Sequence, residues 1–159
     1  VSRPADASLA TRVLNPHCLS IDLEVGRNSG VIHQLAALRG DTAASRVFPP
    51  GTLSEALDAV DLLADSAAFL LGHNLIAFDL PHLRAARPNL RLFAKPVVDT
   101  LRLNPLAFPK NPYHHLVKHY QDGQLLGNGK HNPLLDAELA LQGCCDQEQS
   151  LRAMQATKA

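Results

Sequence analysis

The stretch AAFLLGHN, residues 67 to 74, restricts the fold more than any other part of the chain. A short, unbroken apolar run closed by glycine and polar residues suits a β-strand buried on both faces, the kind found where helices cover a sheet. The segments before it fit that picture. HCLSIDLEVG (17 to 26) and VIHQLAAL (31 to 38) have the content of strands and are separated by Arg27-Asn28-Ser29-Gly30, which predicts a hairpin. A third strand is expected from Ala43 to Phe48, ended by Pro49-Pro50-Gly51.

Between that strand and the apolar run, Leu53, Ala56, Leu57, Val60, Leu63 and Ala64 recur at helical spacing, with Thr52 and Glu55 placed to form a capping box. A second helix is expected from about Asp79 to Arg87, closed by Pro88. Beyond it come a short extended piece near Val97-Val98, a helical turn from Thr100 to Leu103, a helix opened by Asn111-Pro112 and running to about Tyr120, and a flexible loop, QDGQLLGNGK. The last helix should run from Pro133 to about Met154, with Asn132 as its N-cap. The order βββαβα followed by helices predicts an α/β layered domain, a mixed sheet flanked by helices. With 159 residues, 46% of them hydrophobic, the chain is expected to fold as one domain, its core about residues 17 to 155.

Net charge is zero, which argues against a general basic coat for nucleic acid, but the charges are unevenly spread. Residues 1 to 79 hold five Lys/Arg against nine Asp/Glu, whereas residues 80 to 121 hold seven against one, Asp99. Arg84, Arg87, Arg91, Lys95, Arg102, Lys110 and Lys118 in that basic middle either meet phosphates or form an ordinary solvated surface. Three cysteines without zinc-type spacing imply neither a disulfide framework nor a metal ribbon, and point to a reducing, cytoplasmic setting. Cys144 and Cys145 read as packing residues. No apolar run reaches membrane-spanning length and no signal peptide is evident, so no membrane partner is expected. The chain opens on Val1, which hints at a domain of something longer or a trimmed chain.

Chemistry concentrates at five positions. Asp22 and Glu24 lie two apart on the first strand and therefore project from one face, with Leu23 pointing away. Their bland role is as solvated carboxylates at a strand end; buried, such a pair needs a cation. Asp79 follows the apolar run and precedes Pro81, which equally suits a helix N-cap. Asp136 lies in the opening turn of the last helix, where the macrodipole favours an acid, and His131 on the chain entering that helix is otherwise a loop histidine. Phe78 and Leu80, beside Asp79, read first as core residues. His115 and His119 are spaced i, i+4 but lack the Glu and third ligand of a zinc site. Converging at one sheet end, four hard oxygen donors would suit Mg²⁺ or Mn²⁺, and two such ions can activate a water and hold a leaving phosphodiester oxygen.

These motifs resemble those of the DEDDh group of DnaQ-like 3′ to 5′ exonucleases, which have an RNase H-like fold. DLE supplies Asp22 and Glu24, HNLIAFD supplies Asp79, and HNPLLD supplies His131 and Asp136; together they span residues 22 to 136. The resemblance implies that Asp22, Glu24, Asp79 and Asp136 hold two divalent cations and that His131 is the general base. It also implies that Leu23, Val25, Gly26, His73, Asn74 and Phe78 line the terminal nucleotide. The family's usual Thr-Thr-Gly after D-x-E is replaced here by Val25-Gly26-Arg27.

The implied reaction releases 5′-nucleoside monophosphates from a DNA 3′ end, single-stranded or frayed, with DNA repair as a setting. The alternatives are a weakly active docking domain within a helicase or polymerase polypeptide or complex, and an oligoribonuclease-like enzyme trimming RNA. The segment LNPLAFPKNPYHHLVKHY and the opening DLEVG are similar to exonuclease-like domains joined to bacterial RecQ-type helicases.

Overall fold

The computed structural model describes residues 17–111, 120–121, 124–125 and 132–158. The hairpin forms as expected: β1 (Cys18–Val25) pairs antiparallel with β2 (Ile32–Arg39), and β2 pairs antiparallel with β3 (Ser45–Phe48). Helix α1 (Leu53–Asp65) then crosses to β4 (Phe69–Gly72), which lies parallel to β1. A further strand, β5 (Val97–Asp99), adds in parallel on the other side of β4, giving the order β3-β2-β1-β4-β5. Leu70 and Leu71 of the apolar run are wholly buried, because β4 has a strand on each side and helices above and below.

Side-chain alternation along β1 divides the protein into two layers. Leu19, Ile21 and Leu23 point into the main core with Leu57, Val60 and Ala64 of α1 and with Leu83 and Leu92. Cys18 points the other way, where Leu71 and Cys144 form a smaller cluster beneath α4 (Pro133–Ala156). Burial pushes the Cys18 thiol up to about 11 and the Cys144 thiol up to about 12, as expected of cysteines that act as small apolar groups. Ser20 shares the α4 side, and its hydroxyl donates to the Ala137 carbonyl at 2.8 Å. No described helix is long and apolar enough to cross a membrane.

Several local expectations change in three dimensions. Thr52 precedes α1 but makes no side-chain cap; its hydroxyl instead donates to Pro49 O at 2.8 Å, so the capping box with Glu55 does not form. The second helix begins earlier, with a wide π-helical turn (Leu75–Asp79) in which Leu80 N–H donates to Leu75 O, and only then becomes α2 (Leu80–Ala86). The turn after β5 is a full helix, α3 (Thr100–Ala107), with Pro105 inside it. Part of the expected loop is paired: β6 (Tyr120–Gln121) and β7 (Gln124–Leu125) form a two-stranded ladder. His131 and the expected helix from Asn111-Pro112, with Lys118, His115 and His119, fall outside the described residues, apart from Asn111 and β6 at the two ends of that stretch.

The basic middle of the chain meets the acidic first half. Arg87 pairs with Asp58 of α1, Arg91 with Asp61 at 3.2 Å and Asp65 at 3.0 Å, and the Lys95 ammonium donates to the carbonyls of Asp65 and Ala67 at 2.8 Å. Arg84 stacks over the Phe93 ring, 4.1 Å from its centre. These four side chains fasten α2 and the 3₁₀ turn Arg91–Ala94 to their neighbours, and none of them lines the cleft described below.

Candidate active site

Where β1 ends against the hairpin turn, the sheet opens into a cleft of about 920 Å³. Asp22, Glu24, Asp79 and Asp136 all line it. They arrive by three physical routes. Asp22 and Glu24 share the face of β1 opposite Leu23, as strand alternation requires. Asp136 lies on α4 one turn beyond the cap: Asn132 Oδ1 accepts from Leu134 N–H at 3.2 Å and Leu135 N–H at 3.3 Å, and Asp136 N–H donates to Asn132 O at 3.1 Å. The bond from Ser20 to Ala137 O ties that turn to β1 two residues before Asp22.

Asp79 stands at the N-cap position of α2 but does not cap it with its side chain. It has helical backbone angles, ends the π-turn and makes no capping bond. Asp79 is 2% exposed, and its carboxylate reaches β1, where Oδ1 accepts from Leu23 N–H at 3.0 Å. The third acid is thereby fixed beside the backbone that joins the first two.

The other expected lining residues divide. Val25, Gly26, His73, Asn74 and Phe78 all line the cleft. Leu23 lines it only beside its backbone, since its side chain is part of the core. Phe78 is not a core residue: it is 40% exposed, meets the His82 ring edge-on with centres 4.8 Å apart, and so presents an aromatic surface at the cleft mouth. Leu80 does pack against the core.

Arg27, His33 and His82 also line the cleft, although nothing in their local sequence marks them. His33 owes its place to a β-bulge. Glu24 pairs with Gln34 and Val25 with Ile32, so His33 is the extra residue on β2 and is turned into the cleft. Its Nε2 would lie 2.6 Å from a Cβ at Gly26, which shows how closely the ring covers that glycine.

In composition the donor set suits a hard divalent cation. Four carboxylates face one cleft, and Glu24 Oε1 is buried there without a hydrogen-bond partner, an expensive condition that a cation relieves. The set is not a finished cage: among the described residues, no group of three or more His, Cys, Asp or Glu side chains is assembled to hold a metal ion as it stands. One Asp79 oxygen is turned onto Leu23 N–H instead. Compared with protein-family models and with curated proteins, the sequence matches none.

Proposed function

We propose that the chain is a metal-dependent 3′ to 5′ exonuclease of the DEDDh kind, with an RNase H-like fold, acting on DNA 3′ ends. The observation that carries this reading is the convergence of Asp22, Glu24, Asp79 and Asp136, from three separate parts of the chain, on one cleft that also holds Arg27, three histidines and an exposed Phe78. The sheet, with three antiparallel strands followed by two parallel ones, is compatible with the proposed fold.

In this reading Asp22, Glu24, Asp79 and Asp136 would together hold two divalent cations. Bound there, Mg²⁺ or Mn²⁺ supplies positive charge to a phosphodiester and lowers the pKa of a water. The chain's own residues do the rest. Asp79, fixed to Leu23 N–H, keeps an acid beside the scissile position. The backbone at Val25 and Gly26 meets the terminal sugar, Phe78 offers a face to the terminal base, and Arg27 meets a phosphate. His131, from the chain entering α4, takes the proton of the attacking water.

The test is incubation of a 5′-labelled single strand with Mn²⁺, with and without chelator. The expected result is a ladder shortening from the 3′ end, abolished by chelator and by Asp22→Ala in a chain that still folds. Undiminished hydrolysis by Asp22→Ala overturns the reading, and parallel digestion of RNA oligomers fixes the sugar preference.

A further inference from the structure

Asp99, the lone acid of the basic middle region, ends β5 with 3% of its surface exposed. A carboxylate at that depth must be compensated, and here backbone N–H groups compensate it. Oδ1 accepts from Asn74 N–H at 2.8 Å and from Leu101 N–H at 3.0 Å, while Oδ2 accepts from Ile76 N–H at 3.0 Å. The Leu101 bond is an ordinary cap for α3. The other two cross to the turn that leaves β4, where Asn74 has a left-handed backbone (φ 63°), a conformation that asparagine tolerates.

That turn begins the π-helical stretch whose last residue is Asp79. The next residue after Asp99 acts on the same wall of the cleft. Thr100 Oγ1 lies 2.8 Å from His73 Nδ1, and Thr100 O accepts from Gln147 Nε2 at 2.8 Å, on the helix that carries Asp136. The junction of β5 and α3 thus touches both segments that bring acids to β1.

We propose that Asp99 is a positioning residue: by holding the backbone of Asn74 and Ile76 it sets where Asp79 stands against β1, and through Asp79 the affinity of the cleft for a divalent cation. This rests on the nuclease reading of the cleft. Asparagine at 99 has one acceptor oxygen and turns an amide NH₂ toward a backbone donor, so at least one of the two bonds to that turn is lost without a change of size. Charge assistance is lost as well.

The experiment compares the whole chain with Asp99→Asn, and with Asp99→Glu, which keeps the charge but displaces the turn. Three quantities are read: Mn²⁺ affinity by electron paramagnetic resonance, amide hydrogen exchange at Asn74 and Ile76, and kcat and KM on a DNA oligomer. Expected for Asp99→Asn is a cooperative thermal transition, exchange at both amides faster by about tenfold, Mn²⁺ affinity lower by about tenfold, and kcat reduced by about tenfold with KM within about twofold, the size of effect that supporting groups have on metal sites. Asp99→Glu keeps the proposal testable if Asp99→Asn does not fold, and is expected to lose Mn²⁺ affinity in the same direction. A folded variant with wild-type Mn²⁺ affinity and kcat overturns the positioning role. If the unsubstituted chain binds no Mn²⁺ and releases no nucleotide, the nuclease reading itself is overturned.

Discussion

Asp79 and Leu23, 56 residues apart in the chain, are joined by a 3.0 Å hydrogen bond from the Leu23 N–H to Asp79 Oδ1. The bond separates two roles that one substitution would confuse. Asp79→Asn keeps an oxygen for the buried N–H but removes the charge, so activity is expected to fall about 100-fold, or about 2.7 kcal/mol in the barrier, with little change in melting temperature. Asp79→Ala strands the N–H as well and should cost a further 1–3 kcal/mol or so of stability. Thermal melts and single-turnover rates on the two variants separate the effects. Equal stability for both would mean that the bond holds nothing in place.

Two glycines should respond in opposite ways to the same added methyl group. At Gly72 a Cβ would sit 2.9 Å from Leu75 Cβ and 3.1 Å from the Ile21 carbonyl, neither of which is free to move. Gly72→Ala is therefore expected to lose about 1–3 kcal/mol in urea unfolding. At Gly26 the Cβ would meet Ser29 Oγ at 2.5 Å and His33 Nε2 at 2.6 Å, both ends of side chains that can rotate. Gly26→Ala should fold nearly as well but displace His33, raising KM several-fold with kcat preserved.

Arg39, 5% exposed, is held by Asp41 through Nε at 2.9 Å and Nη2 at 2.6 Å, and by Leu63 O and Ser66 Oγ. The Arg39 hydrogen bonds hold the Asp41 carboxyl down to about 2. An unfolded Asp titrates near about 3.9, so between these values the unfolded chain binds more protons and stability rises with pH. The contribution is complete above the unfolded value and is lost as pH falls through about 2. The difference in melting temperature between wild type and Asp41→Asn should accordingly shrink as pH is lowered from 5 toward 2. A difference that stays constant over that range would separate the ion pair from acid sensitivity.

Thiol reagents offer an independent check on the two layers. Cys18 and Cys144 are buried and their thiols are pushed up, whereas Cys145 is partly exposed. Native protein at pH 8 is expected to expose one reactive thiol to a disulfide reagent and denatured protein all three. Rapid reaction of a second thiol would mean that α4 does not cover the sheet as described.

The parts of the fold that depend on local periodicity could be read in the sequence. Alternation in SIDLEV placed Asp22 and Glu24 on one face, and Asn132-Pro133 marked the start of α4 where the capping bonds are found. What depends on distant partners could not. His33 faces the cleft because a residue is left over when β1 pairs with β2, a fact of register with no local signature. Asp99 looked like an isolated charge in a basic stretch, since its acceptor role involves backbone donors 23 and 25 residues away. Arg87, Arg91 and Lys95 could be read as phosphate contacts or as a solvated surface, and the acids and carbonyls of α1 that meet them are not visible locally. The one visible clue to those pairs was the charge imbalance between the two stretches.

The acidic floor of the cleft and the turn at its edge are parts of unequal durability. Asp22 and Glu24 ride on the middle strand of five, while Arg27 and Gly30 belong to the turn at its tip. Turns of this kind open at a lower free-energy cost than central strands. On warming, grip on a ligand should therefore slacken while the carboxylates still stand in formation. Heat would first loosen the edge of the cleft, and only later its charged floor.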